Sequence, residues 1–252
     1  MAKPDHIELP TGERIAFLYE DRSVIAIDKP RNWMLVPFSW QKTNRNLQAA
    51  LTSSIAAGDF WARSRGLRFL RFVHRLDADT TGILLVAKSQ GALASYGALF
   101  ESRQMDKVYL AVVAGVPEQT QWTCRLKIGQ DADQRGRMKV DAQHRKEAET
   151  HFRVLETGEK TALVEARPYT GRTHQIRVHL TASGHPVVGD ELYGKSEQAP
   201  TAQRRGRRQA NENLGLRAIA LAYVDPFTRR RVQIRAPIEA FVQEYGFELP
   251  KI

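Results

Sequence analysis

His74-Arg75-Leu76-Asp77-Ala78-Asp79-Thr80-Thr81-Gly82 runs directly into Ile83-Leu84-Leu85-Val86-Ala87. The second half is short, continuous and aliphatic, and reads as a strand. Thr80, Thr81 and Gly82 are suited to a tight turn before it. The first half sets a carboxylate beside an arginine and a histidine at the strand entrance. In a chain of net charge +10, that arrangement points to chemistry on a polyanion.

The patterns on either side extend this strand into a fold. Residues 16–28 read as two strands around a turn at Glu20-Asp21-Arg22-Ser23, and Lys29-Pro30 ends the second because proline lacks the ladder donor. Leu47, Leu51 and Ile55 recur at helical spacing, and Gly58 suits a C-terminal stop. Ser89 is placed to cap a helix carrying Leu93, Tyr96 and Phe100 on one face. Lys107 to Val113 is strand-like, as are His151 to Leu155 and Thr161 to Ala166.

Thr173 to Ser183 reads as a helix with Thr173 as cap and Gly184 as stop. Strands follow at 216–224 and 231–235, then a last helix with Pro237 in its first turn and Ile238, Phe241, Val242 and Tyr245 as its apolar stripe. Residues 129–147 are polar and predict a mobile hairpin or loop, and 195–214 a flexible basic insertion. Strands outnumber helices, which predicts an α+β fold around a mostly antiparallel, mixed sheet flanked by helices and long loops. A single catalytic domain over 1–252 is expected, with 1–15 as an N-terminal extension.

Composition narrows the function. A sequence pI of about 9.9 favours nucleic acid as partner. From Arg63 to Arg75 there are five arginines and no acid, interleaved with Phe69 and Phe72. Arg204-Arg205-Gly206-Arg207-Arg208 forms a second cluster. Arginine presents a planar fork to phosphate and stacks on bases. One cysteine, Cys124, excludes an internal disulfide and a thiolate zinc site. His174 and His179, five apart, do not share a helical face cleanly, so they are read as packing or hydrogen-bonding residues rather than metal ligands. No apolar run has the length of a membrane span, and the N-terminus lacks a signal-peptide core. A cytoplasmic protein without membrane association is expected.

The stretch from His74 to Gly82 closely resembles the HRLDxxTSG motif of the RluA-like pseudouridine synthases, with Thr81 where that family most often has serine. Three further elements are similar. Leu18 to Pro30 resembles the opening strand and its lysine-proline turn. Lys107-Val108-Tyr109-Leu110-Ala111-Val112 resembles the KxYxAxV strand. Gly171-Arg172-Thr173-His174-Gln175-Ile176-Arg177-Val178-His179-Leu180 matches the GRTHQIRVHL segment throughout. Gly184-His185-Pro186 and Gly189-Asp190-x-x-Tyr193-Gly194 continue it. Arg217 stands where relatives often carry a histidine.

The resemblance implies an RNA pseudouridine synthase acting on structured ribosomal or transfer RNA, without cofactor or metal and without the extra N-terminal RNA-binding domain of many relatives. It implies that Asp77 is catalytic, that Arg177 pairs with it and that Tyr109 stacks on the uracil. Arg75 would fill the gap left by a flipped base. Arg172 would contact phosphate, and His74, Thr81 and Leu216 would line the substrate. A monomer is expected. The alternatives are a non-catalytic RNA-binding or RNA-remodelling protein on the same scaffold, and an N-glycosidase that releases uracil.

Overall fold

A computed structural model describes residues 3–9, 11–35, 45–140, 146–194 and 213–249. In chain order the elements are β1 (His6–Glu8), β2 (Arg14–Glu20), β3 (Val24–Lys29), α1 (Leu47–Ala57), α2 (Phe60–Arg63), β4 (Arg71–Phe72), β5 (Thr81–Ala87), α3 (Gln90–Glu101), β6 (Asp106–Ala114), β7 (Gln121–Cys124), β8 (Ile128–Gln130), β9 (Met138–Val140), β10 (Thr150–Thr157), β11 (Thr161–Pro168), α4 (Gln175–Ala182), β12 (Leu216–Val224), β13 (Arg231–Arg235) and α5 (Glu239–Glu244). The α+β class predicted from sequence holds. The polar stretch 129–147 contributes to the two-stranded hairpin β8–β9. The basic cluster at 204–208, and the insertion at 195–214 apart from Asn213 and Leu214, lie outside the described residues.

The chain gathers into two compact units. The first is Met1–Asp106 with Ala218–Ala236, the second Lys107–Arg217 with Pro237–Ile252. In the first unit the strands run β1-β2-β3-β5-β12, with β4 on β5 and β13 on β12. The pairs β1–β2, β2–β3, β3–β5, β4–β5 and β12–β13 are antiparallel. In β5, every residue from Gly82 to Ala87 is buried, so an unbroken aliphatic run suits it better than an alternating one.

Gly82 corrects the sequence reading. It is not part of a turn: it lies within β5, opposite Lys29 of β3. Its φ is +103°, and a Cβ there would stand 2.1 Å from the Ala218 carbonyl oxygen of β12. Glycine is required because two main chains meet where no side chain fits.

Helix α1 ends at Gly58 as read from sequence, and the structure adds its N-terminal cap. The Asn46 side chain accepts from the Ala49 N–H, and Gly58 closes the helix in the left-handed region. Its buried residues are Leu47, Leu51 and Ser54 rather than Ile55. Ser54 earns its place through Trp61, whose indole donates to the Ser54 hydroxyl at 2.7 Å, and the hydroxyl in turn donates to Asp59. Helix α3 is capped by Ser89, as read from sequence.

In the second unit the order is β6-β11-β10-β7, antiparallel throughout. Its core sets Ala111, Val113, Phe152, Ala162, Val164 and Ala166 of these strands against Ile176 and Leu180 of α4, with Leu214 and Leu216. At α4 the predicted cap is corrected. Thr173 does not cap it; the residue before the helix is His174, in the left-handed conformation at φ 54° and ψ 19°, and its side chain makes no cap bond. Pro237 likewise precedes α5 by two residues rather than sitting in its first turn.

Candidate active-site elements

Asp77 lies in the segment between β4 and β5, half-buried, with Leu76 buried beside it and Arg75 exposed. That segment is gripped from below by Lys29, the last residue of β3. Its side chain is fully buried, and its ammonium donates to three carbonyl oxygens: Ala78 at 2.6 Å, Thr80 at 3.0 Å and Pro30 at 3.0 Å. A lysine has three donors, so every one is used. Burial pushes its pKa down to about 8, against the opposing pull of the Asp79 and Asp77 carboxylates. The lysine-proline turn thus serves the Asp77 segment directly. In the sequence this lysine shows only as the end of a strand and the start of the lysine-proline turn, with no sign of the carbonyls it binds.

His74 has a structural duty. The Val73 N–H donates to the Leu85 carbonyl at 2.9 Å, continuing the β4–β5 ladder past Phe72. At the next position the Leu85 N–H donates to the His74 Nε2 at 3.0 Å. A backbone N–H is always a donor, so Nε2 accepts, and any ring proton of a neutral His74 is on Nδ1. The ring also stacks on Phe100 of α3 at 4.6 Å between centroids. An imidazole takes the place of a missing strand carbonyl and sets where the chain leaves β5 toward Asp77. Thr81 is the first residue of β5.

In the second unit the Gly171–Leu180 stretch is held by Gln175, which is buried. Its side-chain oxygen accepts from the Thr170 hydroxyl at 2.7 Å and the Arg172 N–H at 2.9 Å, and its amide donates to the Glu149 carbonyl and the Thr150 hydroxyl, both at 2.9 Å. Lys107 donates to the Thr170 carbonyl at 3.2 Å. Arg172 donates through Nε to the Glu147 carbonyl at 2.9 Å, which orients its guanidinium.

Arg177 and Asp190 form a buried bidentate pair, Nε to Oδ2 at 2.7 Å and one terminal nitrogen to Oδ1 at 2.8 Å. The same Oδ1 accepts from the Leu192 and Tyr193 N–H groups at 3.0 Å. Such charge-assisted forks are the strong class of hydrogen bond. The Tyr193 ring lies 5.1 Å from the guanidinium carbon, and its hydroxyl is 2.8 Å from Nδ1 of His174. Gly189-Asp190-x-x-Tyr193-Gly194 is therefore the mount for Arg177 and His174. Asp190 takes two of the five guanidinium donors, and the charge stays fixed in place.

His179 is read correctly as a hydrogen-bonding residue. Fully buried, it takes the Thr150 hydroxyl on Nδ1 and donates from Nε2 to the Leu126 carbonyl, each at 2.9 Å. Among the described residues no three His, Cys, Asp or Glu side chains cluster as metal ligands, and no described helix is long and apolar enough to cross a membrane. Tyr109 of β6 lies opposite Ala166 of β11, half-buried on the cluster that also holds Leu216. Arg217 donates to the Pro237 carbonyl at 2.9 Å. The structure thus gathers Tyr109, Arg172, Arg177 and Leu216 on the second unit, and His74, Arg75, Asp77 and Thr81 on the first.

A family model described as RNA pseudouridylate synthase matches residues 23–182. The chain belongs to this family. It is 38% identical over 181 residues to ribosomal large subunit pseudouridine synthase C of Vibrio cholerae, covering 70% of this chain and 54% of that protein. It therefore spans about half the length of that relative. It is 30% identical over 244 residues to ribosomal large subunit pseudouridine synthase D of Zymomonas mobilis subsp. mobilis, covering 96% of this chain and 75% of that one. Among solved structures, human RNA pseudouridylate synthase domain containing 1 superposes with a TM-score of 0.68 at 28% identity, over 89% of this chain and 84% of that one. The Asp77 segment, Tyr109 and the stretch holding Arg177 all lie within the residues matched to the RNA pseudouridylate synthase family.

Proposed function

We propose that this protein isomerises uridine to pseudouridine in structured RNA, with Asp77 as the catalytic carboxylate and no cofactor. The observation that carries the reading is the Asp77 segment, held at Ala78 and Thr80 by two bonds from one buried lysine inside the region matched to the family. The reaction breaks the bond from ribose C1′ to uracil N1 and forms one from C1′ to C5. The C5 proton leaves to solvent and N1 gains one, so nothing else is consumed.

A duplex hides the glycosidic bond, so the uridine must be flipped out or already unpaired, at a cost of a few kcal/mol. Asp77 acts as an anion whether it attacks the sugar, attacks the base or removes a sugar proton. Arg177 favours that anion as its charge partner, and a double-mutant cycle between the two tests the pairing. Tyr109 stacks on the uracil, with Leu216 as apolar floor. Arg75 fills the vacated place in the RNA, and Arg172 meets a phosphate beside a helix N-terminus. Thr81 lines the substrate, and His74 supports the segment from behind. The relatives' names put large-subunit ribosomal RNA first among substrates, ahead of transfer RNA. A monomeric, cytoplasmic enzyme goes with this reading.

The test is tritium release from ribosomal RNA labelled at uracil C5. Wild type is expected to release tritium to water, and Asp77→Asn to be slower by about a thousandfold or more, the scale of losing a positioned acid or base. Release by Asp77→Asn at the wild-type rate would overturn the assignment. Free uracil in the product would make the protein a glycosidase.

A further inference from the structure

At the opposite end of β5 from the Asp77 segment lies a cavity of about 720 Å³. Five cations line it, Lys3, Arg22, Arg65, Arg68 and Lys88, against two carboxylates, Glu20 and Asp21. The carboxylates are already engaged. Glu20 accepts from Arg65 at 2.8 Å and from Lys88 at 2.6 Å. Burial raises its pKa, but the bonds and charges of Lys88 and Arg65 prevail and hold it low. Asp21 caps its own turn, accepting from the Ser23 and Val24 N–H groups at 2.7 and 2.8 Å, and takes the Tyr19 hydroxyl at 3.0 Å.

Arg65 is a buried strut. Its side chain is 4% exposed, it donates to the Trp61 and Pro4 carbonyls, and its guanidinium lies 4.0 Å from the centre of the Phe17 ring. Lys3, Arg22 and Arg68 are different. All three are exposed, and among the described residues they form no ion pair or hydrogen bond. Three positive charges are left over in one concave site, with the half-buried Phe69 ring in its wall. A cationic groove with an aromatic wall is how proteins track a polynucleotide backbone. A concave wall also focuses the field, so the charges act together rather than as separate solvated side chains.

We infer that this basin is a second RNA-binding site, taking backbone phosphates of the substrate well away from the reacting uridine. The inference rests on the proposed RNA substrate. Val24 pairs with Ala87 at the basin end of the sheet, and Lys29 with Gly82 at the Asp77 end. At about 3.3 Å per residue the two pairs lie roughly 16 Å apart. The strand occupying the basin is therefore several nucleotides from the flipped base, or comes from a neighbouring helix of a folded RNA. The basin thus favours long, structured RNA over a short hairpin. The arginine-rich segment 63–75 is divided between two tasks. Arg65 braces the fold, and Arg68 faces the ligand.

The double variant Arg22→Gln/Arg68→Gln tests this and spares the bracing pair Arg65 and Lys88. Affinity for transcribed large-subunit ribosomal RNA is measured from 50 to 200 mM salt, and tritium release is measured on the same RNA and on a short hairpin cut from it around the modified uridine. Each lost phosphate contact lowers the salt slope by about 0.9 on a duplex. A fall of nearly two is expected, so that the fourfold rise in salt costs the variant about tenfold less affinity than it costs wild type. The hairpin is expected to react at the wild-type rate, with an unchanged unfolding midpoint. An unchanged salt slope in a folded variant overturns the basin while leaving the enzyme reading intact. RNA binding that loses slope as expected, without tritium release by wild type, supports the basin and overturns the enzyme reading. Absence of RNA binding by wild type overturns both.

Discussion

The Lys29 ammonium lies 2.6 Å from the carbonyl oxygen of Ala78, the residue after Asp77. One buried side chain, 48 positions earlier in the chain, thereby fixes the backbone that carries the proposed catalytic carboxylate. Its bonds to Thr80 and Pro30 complete a tripod that needs all three ammonium protons. A neutral amine has only two N–H donors, so one carbonyl must be released when Lys29 deprotonates.

With its pKa depressed to about 8, Lys29 predicts a fall in kcat as pH rises through about 8, measured as a pH–rate profile of tritium release. The stability effect has the opposite sign. Between about 8 and the ordinary lysine value the folded protein holds fewer protons than the unfolded chain, so this group's contribution to stability rises with pH. Loss of rate in that window is therefore not unfolding caused by Lys29. A flat profile to pH 9.5 would remove the tripod from the mechanism.

Gly82→Ala is expected to destabilise the fold by about 3 kcal/mol or more, because it combines a clash with a strained backbone. The new methyl would meet the Ala218 carbonyl at 2.1 Å, and φ is +103°. Urea unfolding against wild type measures it, and a loss under 1 kcal/mol would mean β12 can move away.

Asp190→Asn removes the carboxylate charge from the buried bidentate pair with Arg177. Breaking one side of such a pair costs about 3–5 kcal/mol. The same variant is expected to lose tritium release even where it remains folded, since Arg177 loses its mount. Full activity would show that Arg177 is positioned by something other than Asp190.

Tyr109 separates stacking from hydroxyl chemistry. Tyr109→Phe keeps the ring on the core cluster and is expected to keep KM within about twofold. Tyr109→Ala removes the proposed base platform, worth roughly 1–3 kcal/mol, and is expected to raise KM by about 5- to 150-fold. Equal KM values for both variants would take Tyr109 out of substrate binding.

His179 predicts an acid limit on stability. Burial lowers its pKa, partly opposed by the Leu126 carbonyl. The folded state therefore resists a proton that the unfolded chain accepts. The stabilisation is full above the ordinary histidine value near 6.5 and is lost as pH falls below it, by at most about 1.4 kcal/mol per pH unit. Urea unfolding at pH 7.5 and 5.5 is expected to show a smaller drop for His179→Gln than for wild type.

Local pattern carried much of the architecture. Leu47, Leu51 and Ile55 with the Gly58 stop, and the Ser89 cap with Leu93, Tyr96 and Phe100, are local signals, so α1 and α3 form where they lie. Single positions answering to distant neighbours were misread. Gly82 looks like a turn glycine until Ala218 is placed against it. His174 lies in the left-handed region beside the Tyr193 hydroxyl, and this moves the start of α4 from the position Thr173 suggested. Ser54 displaces Ile55 from the buried face of α1 because Trp61 and Asp59 satisfy its hydroxyl.

Residue order within short windows is enough for the α+β class, most strand and helix positions and the family, and composition alone sets the basic character. The roles of Lys29, His74, Gln175 and Asp190 emerge only in the folded chain. Lys29, Gln175 and Asp190 are buried and His74 is half-buried, where an unmet donor or acceptor is costly. The partner that meets it, a carbonyl of Ala78, the N–H of Leu85, the hydroxyl of Thr150 or the guanidinium of Arg177, comes from a separate segment of the chain. No local pattern encodes such a pairing, because it exists only once the strands have brought those segments together.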